Sequence, residues 1–327
     1  MSIVAQRILT SPRRLAMPVL SFPGASLAGT TVRGMVTDPE AQAAAELALH
    51  TKYATPFVMS AMDLSVEAEE FGASILMDDW EVPTVTGRFV TDMPGIEQLH
   101  VPAPGAKRTP VYLKTIEKLR AAGTDAVVLG GMIGPFSLAG RLFGVSEALA
   151  ETAGEPAMMH ALVKKTTGYL TAYARAFKAA GAHGLIIAEP TAGLMSPSST
   201  AEFSSPYVKQ IREAVEDDSF TIILHNCGAR IGHLQASLAS GATILHFGKP
   251  MDIPAALAQV PAGTILCGNL DPSEVFVGST AGDVAARTSA LLAATASYKN
   301  FVISSGCDIP AAAPPANLAS FFTTVAH

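Results

Sequence analysis

Short runs of β-branched and apolar residues alternate along this chain with longer alanine-rich stretches, and that alternation limits the possible folds more than any other feature. The runs cover residues 55–60, 125–129, 184–188, 220–224, 243–247, 263–266 and 300–304. Most carry apolar residues at consecutive positions, the pattern of strands buried on both faces in a parallel sheet. The segments 38–50, 109–122, 156–180, 205–215, 231–240 and 281–295 have helical composition. Asp38-Pro39 and Ser205-Pro206 each place a capping residue before a proline suited to the first helical turn. Repeated βα units predict a parallel α/β architecture, and 327 residues suit one (β/α)8 TIM-type barrel with terminal additions. The expected organisation is a single domain, 1–327, in which a helical N-terminal extension at 1–54 packs on a barrel at 55–327. Residues 17–29 are expected to pass close to the barrel mouth.

Composition excludes several function classes. Hydrophobic residues make up 49% of the chain and charged residues 15%, which predicts a large folded core rather than disorder. The net charge is −6 and the 22 basic residues are scattered, so no stripe is offered to nucleic acid or to an anionic membrane. Small molecules or protein partners are the expected ligands. Near the N-terminus, Arg7, Pro12, Arg13 and Arg14 interrupt the apolar run that a signal peptide or membrane span needs, and a cytoplasmic location is expected. Three cysteines cannot build a disulfide framework in a chain this long, so each is read as a core residue, a ligand or a nucleophile.

The strongest local signal is the run ending in His225-Asn226-Cys227-Gly228. Residues two apart on a strand point the same way, so His225 and Cys227 can face one metal ion. Barrels carry their active groups at the C-terminal ends of their strands, where this pair falls. Cys307, beside Gly306 at the end of the last run, supplies a third soft donor. One imidazole and two thiolates select zinc over magnesium or calcium, and three protein ligands leave a coordination position for substrate. A thiol in that position would lose its proton at neutral pH. Spacing alone leaves open the alternative of two core cysteines and a hydrogen-bonded histidine.

Taken together, several segments resemble the uroporphyrinogen decarboxylase superfamily, and within it the zinc-dependent methylcobamide:coenzyme M methyltransferases. They are His225-Asn226-Cys227-Gly228, Gly268-Asn269-Leu270-Asp271-Pro272, and Gly306-Cys307 followed by Pro310, Pro314 and Asn317. The stretch from Met62-Asp63 to Glu69 with Phe71-Gly72, then Gly134-Pro135-Phe136, then Glu189-Pro190 with Phe203 and Pro206-Tyr207, agree with them. The resemblance implies a (β/α)8 barrel in which Zn2+ on His225, Cys227 and Cys307 binds a small thiol such as coenzyme M. It implies a methylcobamide donor carried by a partner corrinoid protein, and in-line attack of the thiolate on the cobalt-bound methyl group. Residues 19–26 lack the arginine cluster of the decarboxylase branch, which disfavours a porphyrinogen substrate. Glu189 stands where the resemblance implies an aspartate.

Other residues carry paired expectations. Glu189 is a candidate catalytic group that orients a ligand or takes the proton of the incoming thiol, or else accepts a hydrogen bond from a loop. Asp63, Asn269 and Arg230 are candidate substrate-binding residues, Arg230 for an anionic group on the acceptor. Helix capping, turn formation and solvation explain the same three without chemistry. His246 is read as a buried, hydrogen-bonded histidine or as a neighbour supporting the metal ligands, and Cys267 as a packed thiol. Met59, Met62, Met77, Met132 and Met195 are candidates for a soft apolar surface facing a corrinoid. The competing functions are a metal-free decarboxylase-like lyase, a non-catalytic corrinoid-binding partner, and a corrinoid methyltransferase with tetrahydrofolate as acceptor.

Overall fold

The computed structural model describes residues 1–327. All seven apolar runs become parallel strands of one curled sheet: β1 (Phe57–Met59), β4 (Val127–Ile133), β5 (Gly184–Ala188), β6 (Thr221–Asn226), β7 (Ile244–Phe247), β8 (Ile265–Leu270) and β9 (Phe301–Ser305), hydrogen-bonded in that order. A separate antiparallel hairpin, β2 (Ser74–Leu76) with β3 (Thr84–Thr86), lies in the long connection between β1 and β4 and has no counterpart among the expected strands. Its strands are half exposed, so they lack the continuous apolar pattern of the other seven.

The alternation of side chains divides each strand between two cores. Inward positions Val127, Leu129, Ile186, Ile223, Ile244, Ile265, Cys267 and Val302 form one interior cluster. Outward positions such as Val128, Leu185, Ile222, Leu245 and Ile303 join the larger cluster beneath the surrounding helices. Burial on both faces is the reason the runs read as continuously apolar. The short helix Ile3–Leu9 adds Val4, Ala5 and Ile8 to the interior cluster, and its Ile3 N–H donates to Asp218 O at 2.9 Å, just ahead of β6. This helix therefore closes the N-terminal end of the ring.

The N-terminal region differs from the expected extension. Residues 15–19 run parallel to β9: Met17 N–H donates to Ile303 O at 2.9 Å and Ile303 N–H to Leu15 O at 3.2 Å, with Ala16 bridged to Ile303. Met17 and Val19 share the interior cluster with Phe57 and Met59 of β1. This segment lies between β9 and β1, joined to β9 by hydrogen bonds and to β1 by side-chain packing, so part of the N-terminal region contributes to the ring. Sequence pattern missed it because two prolines and two arginines break up the apolar run.

Arg14 anchors the segment. Its guanidinium donates to the carbonyls of Thr295, Tyr298 and Phe301 at 2.6–2.9 Å and lies over the Phe301 ring. Hydrogen bonds from a charged donor contribute about 1.5–3 kcal/mol. Arg14→Ala is expected to lower the unfolding free energy by about that amount in urea titration. An unchanged midpoint would mean that the strand pairing holds the segment unaided.

Candidate metal centre

Parallel register determines what meets at the barrel mouth. His225 is inward on β6, in line with Ile223, and Cys227 follows two positions later, beyond the strand end. Cys307 follows β9 after Gly306. The donor atoms of His225, Cys227 and Cys307 all lie within 4.8 Å of one another, with the imidazole buried and both thiols half-buried. The hydrogen bond from Cys307 lowers Cys227 to about 7 against the opposing effect of burial. The same contact and burial push Cys307 up to about 12. Of the two thiols, Cys227 therefore ionises first, and a cation placed among these donors would replace the hydrogen bond between them. One nitrogen and two sulfurs are the donor set of a zinc site with an open position.

Close backbone packing permits this convergence. A Cβ on Gly248, just past β7, would lie 2.8 Å from the Cα and carbonyl carbon of Cys227. A Cβ on Gly306 would lie 2.9 Å from Lys249 N and 3.1 Å from Gly248 Cα. With any larger residue at these two positions the loops after β6, β7 and β9 would be forced apart, and the two thiols with them.

Behind the ligands lies a chain of polar groups. His225 pairs in register with His246 of β7, and their Nδ1 atoms are 2.6 Å apart. His246 Nε2 is 2.7 Å from Ser304 Oγ, whose hydroxyl donates to Met17 O at 2.7 Å or to Ser305 O at 2.8 Å. Burial, with His225 alongside, holds His246 well below the usual histidine range, so it is neutral. Cys267, inward on β8 and paired with His246, is fully buried and its thiol is pushed up by that burial.

The carboxylates expected at the site have other duties. Glu189 is fully buried, and its two oxygens accept from Phe136 N at 2.9 Å, Ser137 N at 3.0 Å and Ser137 Oγ at 2.7 Å. These bonds tie it to the first turn of the helix Pro135–Phe143. Burial is the main cause that raises it to about 7, with these hydrogen bonds opposing. Asp63 is likewise held by neighbouring side chains. It is ion-paired to the buried Arg108 and accepts from Tyr112 OH at 3.0 Å and Ser65 Oγ at 2.6 Å. Glu67 accepts from Ile133 N at 2.9 Å and is raised to about 8, chiefly by burial.

Asn269 donates its amide to Gly248 O and Met251 O at 3.0 and 2.7 Å, so that end braces the loop after β7 and is not offered to substrate. Asp271 caps the turn Pro272–Val277. Arg230 is exposed three residues past Cys227 and makes no salt bridge. Met59, Met62, Met132 and Met195 are buried, which removes them as a surface. Ser304 and Gly248 are the contributors that sequence reasoning missed, while His246, read there as a buried histidine or a neighbour of the ligands, touches His225. The signal for that contact is the register that sets His246 beside His225.

The uroporphyrinogen decarboxylase family profile matches residues 4–327. The chain belongs to that family. The methylcobamide:CoM methyltransferase MtbA of Methanosarcina mazei is 30% identical over 290 residues, covering 86% of this chain and 84% of that protein. A uroporphyrinogen decarboxylase of Anaeromyxobacter dehalogenans is 30% identical over 229 residues, 68% of this chain and 65% of that one. A solved methyltransferase from Methanosarcina mazei superposes with a TM-score of 0.89 at 23% identity, covering 99% of this chain and 97% of its own. That superposition confirms the TIM-type barrel. The long match to the methyltransferase sequence marks this member of the uroporphyrinogen decarboxylase family as an enzyme of methyl transfer. No helix is long and apolar enough to cross a membrane.

The hydrogen bond between the two thiols gives a pH-dependent signature. With zinc chelated, Cys227 is expected to alkylate half-maximally near pH 7, because its lowered pKa exposes thiolate there. Cys307 and Cys267, both raised, should lag. Peptide mapping after iodoacetamide pulses between pH 6 and 9 reads this, and equal rates at all three thiols would refute it.

Proposed function

We propose that this chain is a zinc-dependent methyltransferase that carries a methyl group from a methylated corrinoid, held by a partner protein, to a small thiol such as coenzyme M. The observation that carries the reading is the meeting of His225, Cys227 and Cys307 at the mouth of a barrel whose family relatives include a methylcobamide:CoM methyltransferase. Zinc, when bound there, lowers the pKa of an acceptor thiol so that thiolate is present at neutral pH. The transfer balances simply: the thiol gives its proton to solvent, a sulfur–carbon bond forms as the cobalt–carbon bond breaks, and that electron pair stays with cobalt. The chain supplies position rather than acid–base chemistry, since Glu189 and Asp63 are already engaged.

Exposed large apolar side chains support a protein-borne donor. Leu76, Trp80, Val82 and Phe89 lie on the excursion after β1, Leu194 follows β5, and Ile231 follows β6. All six lie on connections that leave the C-terminal ends of strands, the end that carries the thiols. Only Met1 and Ile3 fall elsewhere among the large apolar residues so exposed. Arg230 is the proposed contact for an anionic group on the acceptor. Nothing comparable supports a porphyrinogen lyase, as residues 19–26 carry no cation and Val19, Leu20 and Phe22 are buried.

Purified wild type is expected to hold about one zinc per chain and to methylate a thiol from methylcobalamin. Cys307→Ala should weaken zinc binding by more than about 100-fold, beyond the effect of changing a residue that merely supports a ligand, and abolish methylation. Metal analysis and a thiol panel check both, and a fully active Cys307→Ala enzyme would return the chain to a metal-free lyase. In the same assay Arg230→Ala should raise KM for an anionic thiol about tenfold with little change in kcat, the loss of roughly 1.4 kcal/mol of uniform binding. An unchanged KM would remove Arg230 from the acceptor site.

A further inference from the structure

We propose that His246 is the positioning residue of the metal centre, and that a one-way chain of hydrogen bonds from His225 through His246 and Ser304 to the carbonyl of Met17 presents Nε2 of His225 as the ligand nitrogen. The inference rests on the metal reading above and adds what prepares the imidazole to bind.

The direction of the chain follows from its far end. A main-chain carbonyl only accepts, so the Ser304 hydroxyl, with one hydrogen, donates to Met17 O or Ser305 O, at 2.7 or 2.8 Å. Having spent its hydrogen, Ser304 Oγ can only accept across the 2.7 Å contact with His246 Nε2. That nitrogen therefore carries hydrogen. His246 is fully buried and its ring nitrogens meet only His225 and Ser304, with no carboxylate to support a charge, so the ring has one N–H and Nδ1 presents a lone pair to His225 Nδ1 at 2.6 Å. His225 must then be the donor, with its hydrogen on Nδ1 and a free lone pair on Nε2. In the opposite tautomer the Nε2 hydrogen would occupy the place a cation needs, and two lone pairs would face each other 2.6 Å apart.

Metal-bound histidines commonly donate their second N–H to a carboxylate or carbonyl, which fixes tautomer and ring orientation. Here a second imidazole fills that role, and the chain ends on Met17 of the N-terminal segment. His225 and His246 are both buried, as is Ser304, so water does not substitute for a missing link.

The test is zinc affinity by chelator competition on wild type, His246→Leu and His246→Asn, with thermal unfolding run on each. His246→Leu removes the acceptor and is expected to weaken zinc about 10–100-fold. His246→Asn keeps an oxygen that can accept from His225 Nδ1–H and should recover most of the loss. A folded His246→Leu protein that binds zinc like wild type overturns the proposal while leaving the metal site intact. A wild type that takes up no zinc overturns both. Should His246→Leu not fold, nitrogen-15 spectra of the wild-type imidazoles decide: hydrogen on His246 Nε2 and on His225 Nδ1 supports the chain, and a proton on His246 Nδ1 or a metal-shifted His246 nitrogen refutes it.

Discussion

The parallel register of β6 and β7 is the constraint on which the mouth depends. It sets His225 opposite His246, both inward and both one step beyond a layer of isoleucines. A shift of one residue in either strand would turn an imidazole outward into the helical layer and bring an apolar residue into the ring. The isoleucine layer below, Ile223 with Ile244 and Ile265, opposes that shift because every inward position is already filled. Ordinary apolar packing thus holds the polar site in register, and the site contributes little to holding the barrel.

The closure of the ring bears on the same site. Met17 receives the Ser304 hydroxyl and pairs with Ile303, while Arg14 clasps the end of the preceding helix and the start of β9. Residues far apart in sequence therefore complete one short polar chain. An imidazole and two thiols could converge without it, but the imidazole could then rotate or exchange its hydrogen between nitrogens. Fixing the tautomer in advance removes a reorganisation that binding would otherwise have to drive.

Much of this was legible in the sequence. The seven strands reveal themselves because burial on both faces demands consecutive apolar residues. Period two makes His225 and Cys227 a candidate pair and Cys307 beside Gly306 a candidate third donor, with core cysteines as the alternative that spacing leaves open. The hairpin β2–β3, half exposed, has no such pattern, and residues 15–19 are disguised by proline and arginine. The carboxylates stay ambiguous in sequence for a related reason. A strand-end Glu189 next to a proline looks the same in sequence whether it faces substrate or caps a helix. What distinguishes the two is the approach of Phe136 and Ser137 N–H groups, a tertiary fact. His246 could be read as a neighbour of the ligands or as a core histidine, and the register between strands is what sets it beside His225.

The distribution of charge explains why the chemistry falls to sulfur. Asp63 is neutralised by Arg108, and Glu189 lies in a cradle of helix N–H groups. Each carboxylate is buried, and a buried anion persists only where such partners replace water. The same contacts aim Glu189 at the helix Pro135–Phe143 and Asp63 at Arg108, Tyr112 and Ser65. Cys227 and Cys307 are different: both stay half-buried, and their mutual tie is a thiol hydrogen bond that a cation would supersede. Among the ionisable groups that the fold brings to this mouth, only the thiols can change partner without dismantling the structure around them, and transfer of an alkyl group between soft atoms is the chemistry that such groups suit.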